Sequence, residues 1–275
     1  MSFNWCYFPL EQHGQAAGIQ NPLPDFVTVG GNPWSAGNGW FNGNGLNTSL
    51  LTPWSADPAL FAGVACPGDA SYLIGFQLEV GAVSPDPQNR ETILYCGYNS
   101  AGLFDGIRVG YRTNGVVRFT LQSRSLGYTD VVVETGDVSN SRRNIFCRID
   151  HRPAGTGVNA AFTHTYRDGT DVQATSSIKT LSGIGDIAPQ QITPATALSV
   201  GANQGNGQPV AGSYFLGKIR RLHLMRFGRL AYDEPGNLAE LMGELSRAGM
   251  VPTPAIQQLM GFGAQAISRA FVQYS

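Results

Sequence analysis

The chain has 275 residues, of which 42% are hydrophobic and 13% charged, with a formal net charge of −1. That apolar content supports a packed core and excludes global disorder. The near-neutral balance carries no electrostatic footprint for nucleic acid or anionic lipid, and no run of about 18 apolar residues marks a membrane span.

Residues 1–35 read as an N-terminal arm. Trp5, Tyr7, Phe8 and Trp34 stand on a segment broken by Pro9, Pro22, Pro24 and Pro33. Aromatic side chains on an irregular segment need a surface to pack on. That surface is the arm's own domain or a neighbouring subunit. The opening MSFNWCYFPLEQ lacks a basic n-region and does not read as a signal peptide, so synthesis and residence in a cytoplasm are expected. Residues 36–75 are loop-rich around Gly39–Gly45. Strand patterns follow. Tyr72, Ile74, Phe76, Leu78 and Val80 alternate onto one face, and Thr92–Tyr98 is a second strand.

Ile107–Leu121 predicts a hairpin around Asn114-Gly115. Its alternation also selects the turn. A two-residue loop sets Tyr111 opposite Arg118 and mixes the faces. The three-residue loop Thr113-Asn114-Gly115 sets Tyr111 opposite Val117, with Gly115 left-handed in a G1 bulge. The opposite face of the hairpin carries Arg108, Arg112, Arg118, Thr120, Gln122 and Arg124. Arginines with amides suit a glycan or an acidic partner surface, and an ordinary solvated face reads the same way. Nearly all basic residues are arginine, the lysines being Lys179 and Lys218 alone. Arginine suits partly buried bidentate contacts, and a genomic base bias produces the same skew.

Asn144–Asp150 predicts another strand, and Phe162, His164 and Tyr166 alternate into a turn at Arg167-Asp168-Gly169. A strand then ends in Gly201, and a loop leads into the closing strand Gly217-x-Ile219-x-x-Leu222-x-Leu224-x-Arg226. Ile219 and Leu222 differ in parity, so both face one core only across a bulge near Arg220-Arg221, or Ile219 faces outward. Asn237–Ala248 predicts a helix with Leu238, Leu241, Met242 and Leu245 on one stripe, stopped by Gly249. Thr253 caps a second helix with Pro254 at its first position, carrying Ile256, Leu259, Met260, Ile267 and Phe271.

The Tyr166-Arg167-Asp168-Gly169 turn and the closing segment Ser199–Leu245 resemble concanavalin A-like and laminin-G-like domains. The resemblance implies an all-β jelly-roll sandwich over residues 36–249, including its closing helix, with the arm at 1–35 and a C-terminal helical extension at 250–275. That fold hosts lectins, glycan hydrolases and docking modules, so it does not name a function.

Hydrolases of this fold imply a Glu-x-Asp-x-x-Glu run, which this chain lacks. Glu79 and Glu91 are the remaining pair for acid–base work, against a reading in which both are solvated edge residues. No Gly-x-Ser-x-Gly elbow or P-loop occurs, and His164 and His223 read as structural. No cofactor is expected. Metal ligands are left unknown, with a calcium site at Asp105, Asp168 and Asp171 as the alternative. Cys6, Cys66, Cys96 and Cys147 form no CxxC pair and read as free buried thiols.

Two functions remain, neither enzymatic. The first is a structural protein of a bacteriophage virion, a head decoration or tail-associated component made in the host cytoplasm. It docks on other virion proteins and on its own copies through Trp5, Tyr7, Phe8, Ile256, Leu259, Met260, Ile267 and Phe271. The alternative is a lectin module gripping surface glycans through Arg108, Arg112, Arg118, Gln122 and Arg124. Glycoside hydrolysis is a distant third.

Overall fold

The computed structural model describes residues 4–11, 26–34, 39–51, 70–82, 86, 88, 91–100, 103–123, 131–150, 159–167, 170–179, 197–205, 208–228 and 235–256. The strands are β1 (Asn4–Phe8), β2 (Val27–Val29), β3 (Phe41–Asn44), β4 (Ser49–Leu51), β5 (Ala70–Val80), β6 (Thr92–Ser100), β7 (Leu103–Tyr111) and β8 (Val116–Ser123). They continue with β9 (Val131–Asp137), β10 (Ser141–Asp150), β11 (Asn159–Arg167), β12 (Thr170–Lys179), β13 (Ala197–Val200), β14 (Gln204–Gly205), β15 (Gln208–Pro209) and β16 (Leu216–Gly228). Helix α1 (Pro235–Arg247) follows. No helix among the described residues is long and apolar enough to cross a membrane.

The strands form an all-β sandwich. Sheet A runs β1-β16-β5-β10-β11-β12, with β3 also paired to β16, and sheet B runs β2-β4-β13-β6-β7-β8-β9. Strand alternation builds the core between them. Ile74, Phe76, Leu78 and Val80 of β5 meet Leu94, Val109, Phe119 and Val133 of sheet B, all buried. The hairpin is as its alternation requires. Tyr111 pairs with Val117, Arg112 N–H donates to Val116 O, and Gly115 adopts φ +77°. An added Cβ there would lie 2.2 Å from Asp137 Oδ1, so a side chain is excluded on steric as well as conformational grounds.

The bulge in β16 is present. The register to β5 shifts between Arg220 and His223, and Arg221 takes φ 56° while its N–H donates to Pro9 O. Ile219 and Leu222 are both fully buried in the one core. The same extra residue leaves Arg220 and Arg221 in succession on the outer face.

The described parts of 1–35 lie on their own domain. β1 zips along Leu222–Arg226 of β16, β2 pairs with β4, and Cys6, Phe8, Leu10 and Phe26 join the core. Cys6 and Cys147 are buried and form no disulfide among the described residues; Cys66 lies outside the described residues.

Helix α1 covers part of the outer face of sheet A. Leu241, Met242 and Leu245 pack with Met250 and Ile256 onto Leu73, Phe146, Tyr166 and Met225, a second core. Gly75 makes room: an added Cβ would lie 2.7 Å from Phe146 Cδ1. The helix ends in a Schellman motif, with Gly249 at φ 62°, Met250 N–H on Leu245 O (2.6 Å) and Gly249 N–H on Ser246 O (3.0 Å). Thr253 Oγ1 then accepts the Ile256 N–H at 3.3 Å, the expected cap.

Candidate functional site

The rest of the outer face of sheet A is polar. Side chains two apart on a strand share a face, and register aligns them into rows. One row is Arg142–Glu79–Lys218, the next Asn144–Gln77–Arg220. Glu79 accepts from Lys218 Nζ at 2.7 Å and from Arg142 at 2.5 and 3.0 Å. The hydrogen bond from Lys218, then that from Arg142, holds the Glu79 carboxyl below the usual carboxylate range. Trp40 is buried beneath this charge, with Arg220 4.1 Å and Arg142 5.0 Å from its ring centroid. Such stacking suits guanidinium over indole.

A directed chain of hydrogen bonds crosses the second row. Arg220 Nε donates to Gln77 Oε1 (2.6 Å), and Gln77 Nε2 donates to Asn144 Oδ1 (2.8 Å). Asn144 Nδ2 donates to Ser246 Oγ (2.9 Å) and to its carbonyl (3.3 Å). The chain ties β16, β5 and β10 to the end of α1, and it fixes two planar amides in one orientation. Beside them opens a cleft of about 640 Å³, lined among others by Gln77, Arg142, Arg143, Asn144, Tyr166 and Arg247. Gln77, Asn144, Tyr166 and Ser246 make a buried floor, and Arg142 and Arg247 an exposed rim.

The bulge residue anchors the helix side. Arg221 Nε meets Glu11 at 2.9 Å, and its Nη1 donates to Gly249 O. His223 is fully buried, stacks on Tyr7 at 4.7 Å and has Nε2 2.9 Å from Met250 O. Burial pushes its imidazole down to about 4 and the Tyr7 phenol up to about 12.

The arginines singled out from the sequence lie on the other side of the molecule. Arg108, Arg112 and Arg118 share the outer face of sheet B, since Arg108 is opposite Thr120 and Gly110 opposite Arg118. Arg108 Nε donates to Thr92 Oγ1 at 3.2 Å, and Arg118 pairs with Glu134 at 2.5 Å. Burial, then the charges of Arg118 and Arg108, pushes Arg112 down to about 10. Tyr95 and Thr120 are buried on this face, so its centre is not a plain solvated surface. Gln122 falls on β8 opposite Gly106; Arg124 lies outside the described residues.

Glu79 and Glu91 do not form a catalytic pair. Glu79 lies on β5, while Glu91 immediately precedes β6 and is in no strand. Glu91 is buried, with its carboxylate 3.5 Å from the Leu216 N–H. A general acid needs a raised pKa, and Glu79 is shifted the other way. No group of three His, Cys, Asp or Glu residues fit for a metal occurs among the described residues. Asp105 falls on β7 and Asp171 on β12, while Asp168 lies outside the described residues.

Of the expected assembly residues, Tyr7, Phe8 and Ile256 are buried within this chain. Trp5 lies on β1 opposite Met225; Leu259, Met260, Ile267 and Phe271 lie outside the described residues. Trp40, Gln77, Arg142, Asn144 and Arg220 escaped sequence reasoning. The available signal was the polar outward parity of Gln77 on β5, of Arg142 and Asn144 on β10 and of Arg220 on β16, which becomes a site only once those strands are paired.

No protein-family model and no curated protein sequence matches the chain. Among solved structures it is similar to the receptor-binding domain of botulinum neurotoxin type G (14% identity, TM-score 0.43, 82% of this chain and 47% of that one). It is also similar to the binding domain of paraclostridial mosquitocidal protein 1 (10%, 0.45, 81% and 48%). A third similar structure is the CBM40 of the Ruminococcus gnavus IT-sialidase (11%, 0.39, 67% and 88%). The chain spans about half the length of the first two. At TM-scores this low the likenesses carry no functional argument, and the sandwich rests on the chain's own two sheets.

Proposed function

We propose that the chain is a non-enzymatic carbohydrate-binding module whose ligand site is the cleft on the polar half of sheet A. The observation that carries this is the pre-oriented amide floor, Gln77 on Asn144 on Ser246, set beside Tyr166 and a guanidinium rim. Sugar hydroxyls are bound by planar amides and guanidiniums held in fixed orientation. A floor already locked by hydrogen bonds loses little freedom on binding. A volume of about 640 Å³ falls within the range of small-ligand pockets, roughly 300–1,000 Å³. Docking on virion neighbours, the other function expected from the sequence, drew on eight residues, of which Tyr7, Phe8 and Ile256 are buried within this chain.

A glycan array tests the proposal with wild type, a cleft variant (Arg142→Gln with Arg247→Gln) and a sheet B variant (Arg118→Ala). Binding that disappears in the cleft variant and persists in Arg118→Ala is the expected result. Wild type that binds no glycan removes the reading, and loss confined to Arg118→Ala removes the cleft as its site.

A further inference from the structure

We infer that this cleft selects anionic saccharides, carboxylated or sulfated, over neutral ones; the inference rests on the glycan-binding reading of the same cleft. The exposed guanidiniums of Arg142 and Arg247 flank the cleft, and no carboxylate-bearing residue lines it. Their neutralisation within the protein is incomplete. Glu79 is one carboxylate shared by two cations, Arg142 and Lys218. Arg247 pairs with Glu244 and also feels the charge of Glu240. Arg143 donates Nη1 to the Arg142 carbonyl and meets no carboxylate among the described residues. Arg220, at the end of the floor, has neutral partners in Gln77 and Trp40. The cleft therefore holds an excess of positive charge and of hydrogen-bond donors.

The neighbouring helix C-terminus would oppose an anion through its free carbonyls. Three of the last four are occupied, Glu244 O by the Ala248 N–H, Leu245 O by the Met250 N–H and Ser246 O by the Gly249 N–H. Ser246 O accepts from Asn144, and Gly249 O accepts from Arg221. A guanidinium fork meets two oxygens of a carboxylate or sulfate at once. The ligand thus places its acidic group against the rim and its hydroxyls on the amides. Because Arg142 lies 5.0 Å from the Trp40 ring centroid, an anion that draws Arg142 away changes the surroundings of the indole.

The test titrates the full chain and reads heat and tryptophan emission. The probes are a heparin-derived hexasaccharide, an oligogalacturonate, maltohexaose and polyglutamate of matched charge. At least one acidic sugar is expected to bind about tenfold or more tighter than maltohexaose, with an affinity that falls as salt rises. Arg142→Gln is expected to cost the acidic sugar about tenfold more affinity than the neutral one. Arg247→Gln, on the exposed helix end, repeats the test should Arg142→Gln lower the melting temperature. The two acidic sugars separate sulfate from carboxylate selection. Equal affinity for acidic and neutral sugars overturns the inference and leaves the glycan reading intact. Polyglutamate binding as tightly as the acidic sugars overturns it too, because the cleft would then read charge without sugar. No binding of any saccharide removes both.

Discussion

The two outer faces of the sandwich are made by the same alternation and end in opposite states. On sheet A, one block of outward positions is large and uncharged: Leu73, Phe146, Tyr166, His223 and Met225. Helix α1 and the turn after it cover them. On sheet B the outward positions of β7–β9 include Arg108, Arg118 and Glu134, whose charges are met by one another or by hydroxyls. Facing away from the core does not decide whether a strand residue is buried. The chain that follows decides it, by supplying or withholding an apolar stripe of matching width. The same supply bounds the cleft, which opens where the stripe of α1 ends and the polar rows begin.

The contrast can be broken at its strongest point by Leu245→Ala. Leu245 is fully buried between α1 and sheet A, so denaturant unfolding should show a loss of about 2–5 kcal/mol. A loss below about 1 kcal/mol would mean that the helix is dispensable and that face A is as open as a solvated sheet.

The pH dependence of His223 sharpens the comparison next. Burial lowers its folded pKa to about 4 from 6.5. The unfolded chain therefore binds the proton more readily. Its contribution is fully present above about pH 6.5 and declines as pH falls towards 4. Urea melts across that window should show wild type losing about 3 kcal/mol more than His223→Gln does. Parallel curves would show that water reaches the ring and that the clasp to Met250 is open.

The smallest effect belongs to sheet B. Arg118 and Glu134 are each about one-third exposed, and Arg118→Ala should cost less than about 1 kcal/mol in the same assay. A cost above about 2 kcal/mol would show an ion pair as closed to water as the interior of face A.

Much of the fold was legible wherever the signal is local. The parity conflict between Ile219 and Leu222 called for a bulge, and the bulge is there. The alternation around Asn114-Gly115 required a three-residue loop, and Gly115 takes the left-handed conformation it demands. The leucine stripe of α1 and the Thr253 cap were equally readable. The site was not. Glu79 finds Arg142 63 residues away and Lys218 139 residues away, and nothing in the spacing of those residues names them as partners. β1 was read as part of an arm because five residues beside Pro9 carry too little alternation to announce a strand. Its place is set by β16, more than two hundred positions along the chain.

The sequence by itself determined which residues alternate, where the chain must turn and where its last described helix begins and stops. These depend on side-chain period and on φ, which are properties of a few consecutive residues. Tertiary structure alone decided which outward rows meet, which face α1 covers and where Arg142 and Arg247 come to flank the amide floor. Those outcomes depend on pairings between distant strands, whose energy no local pattern carries.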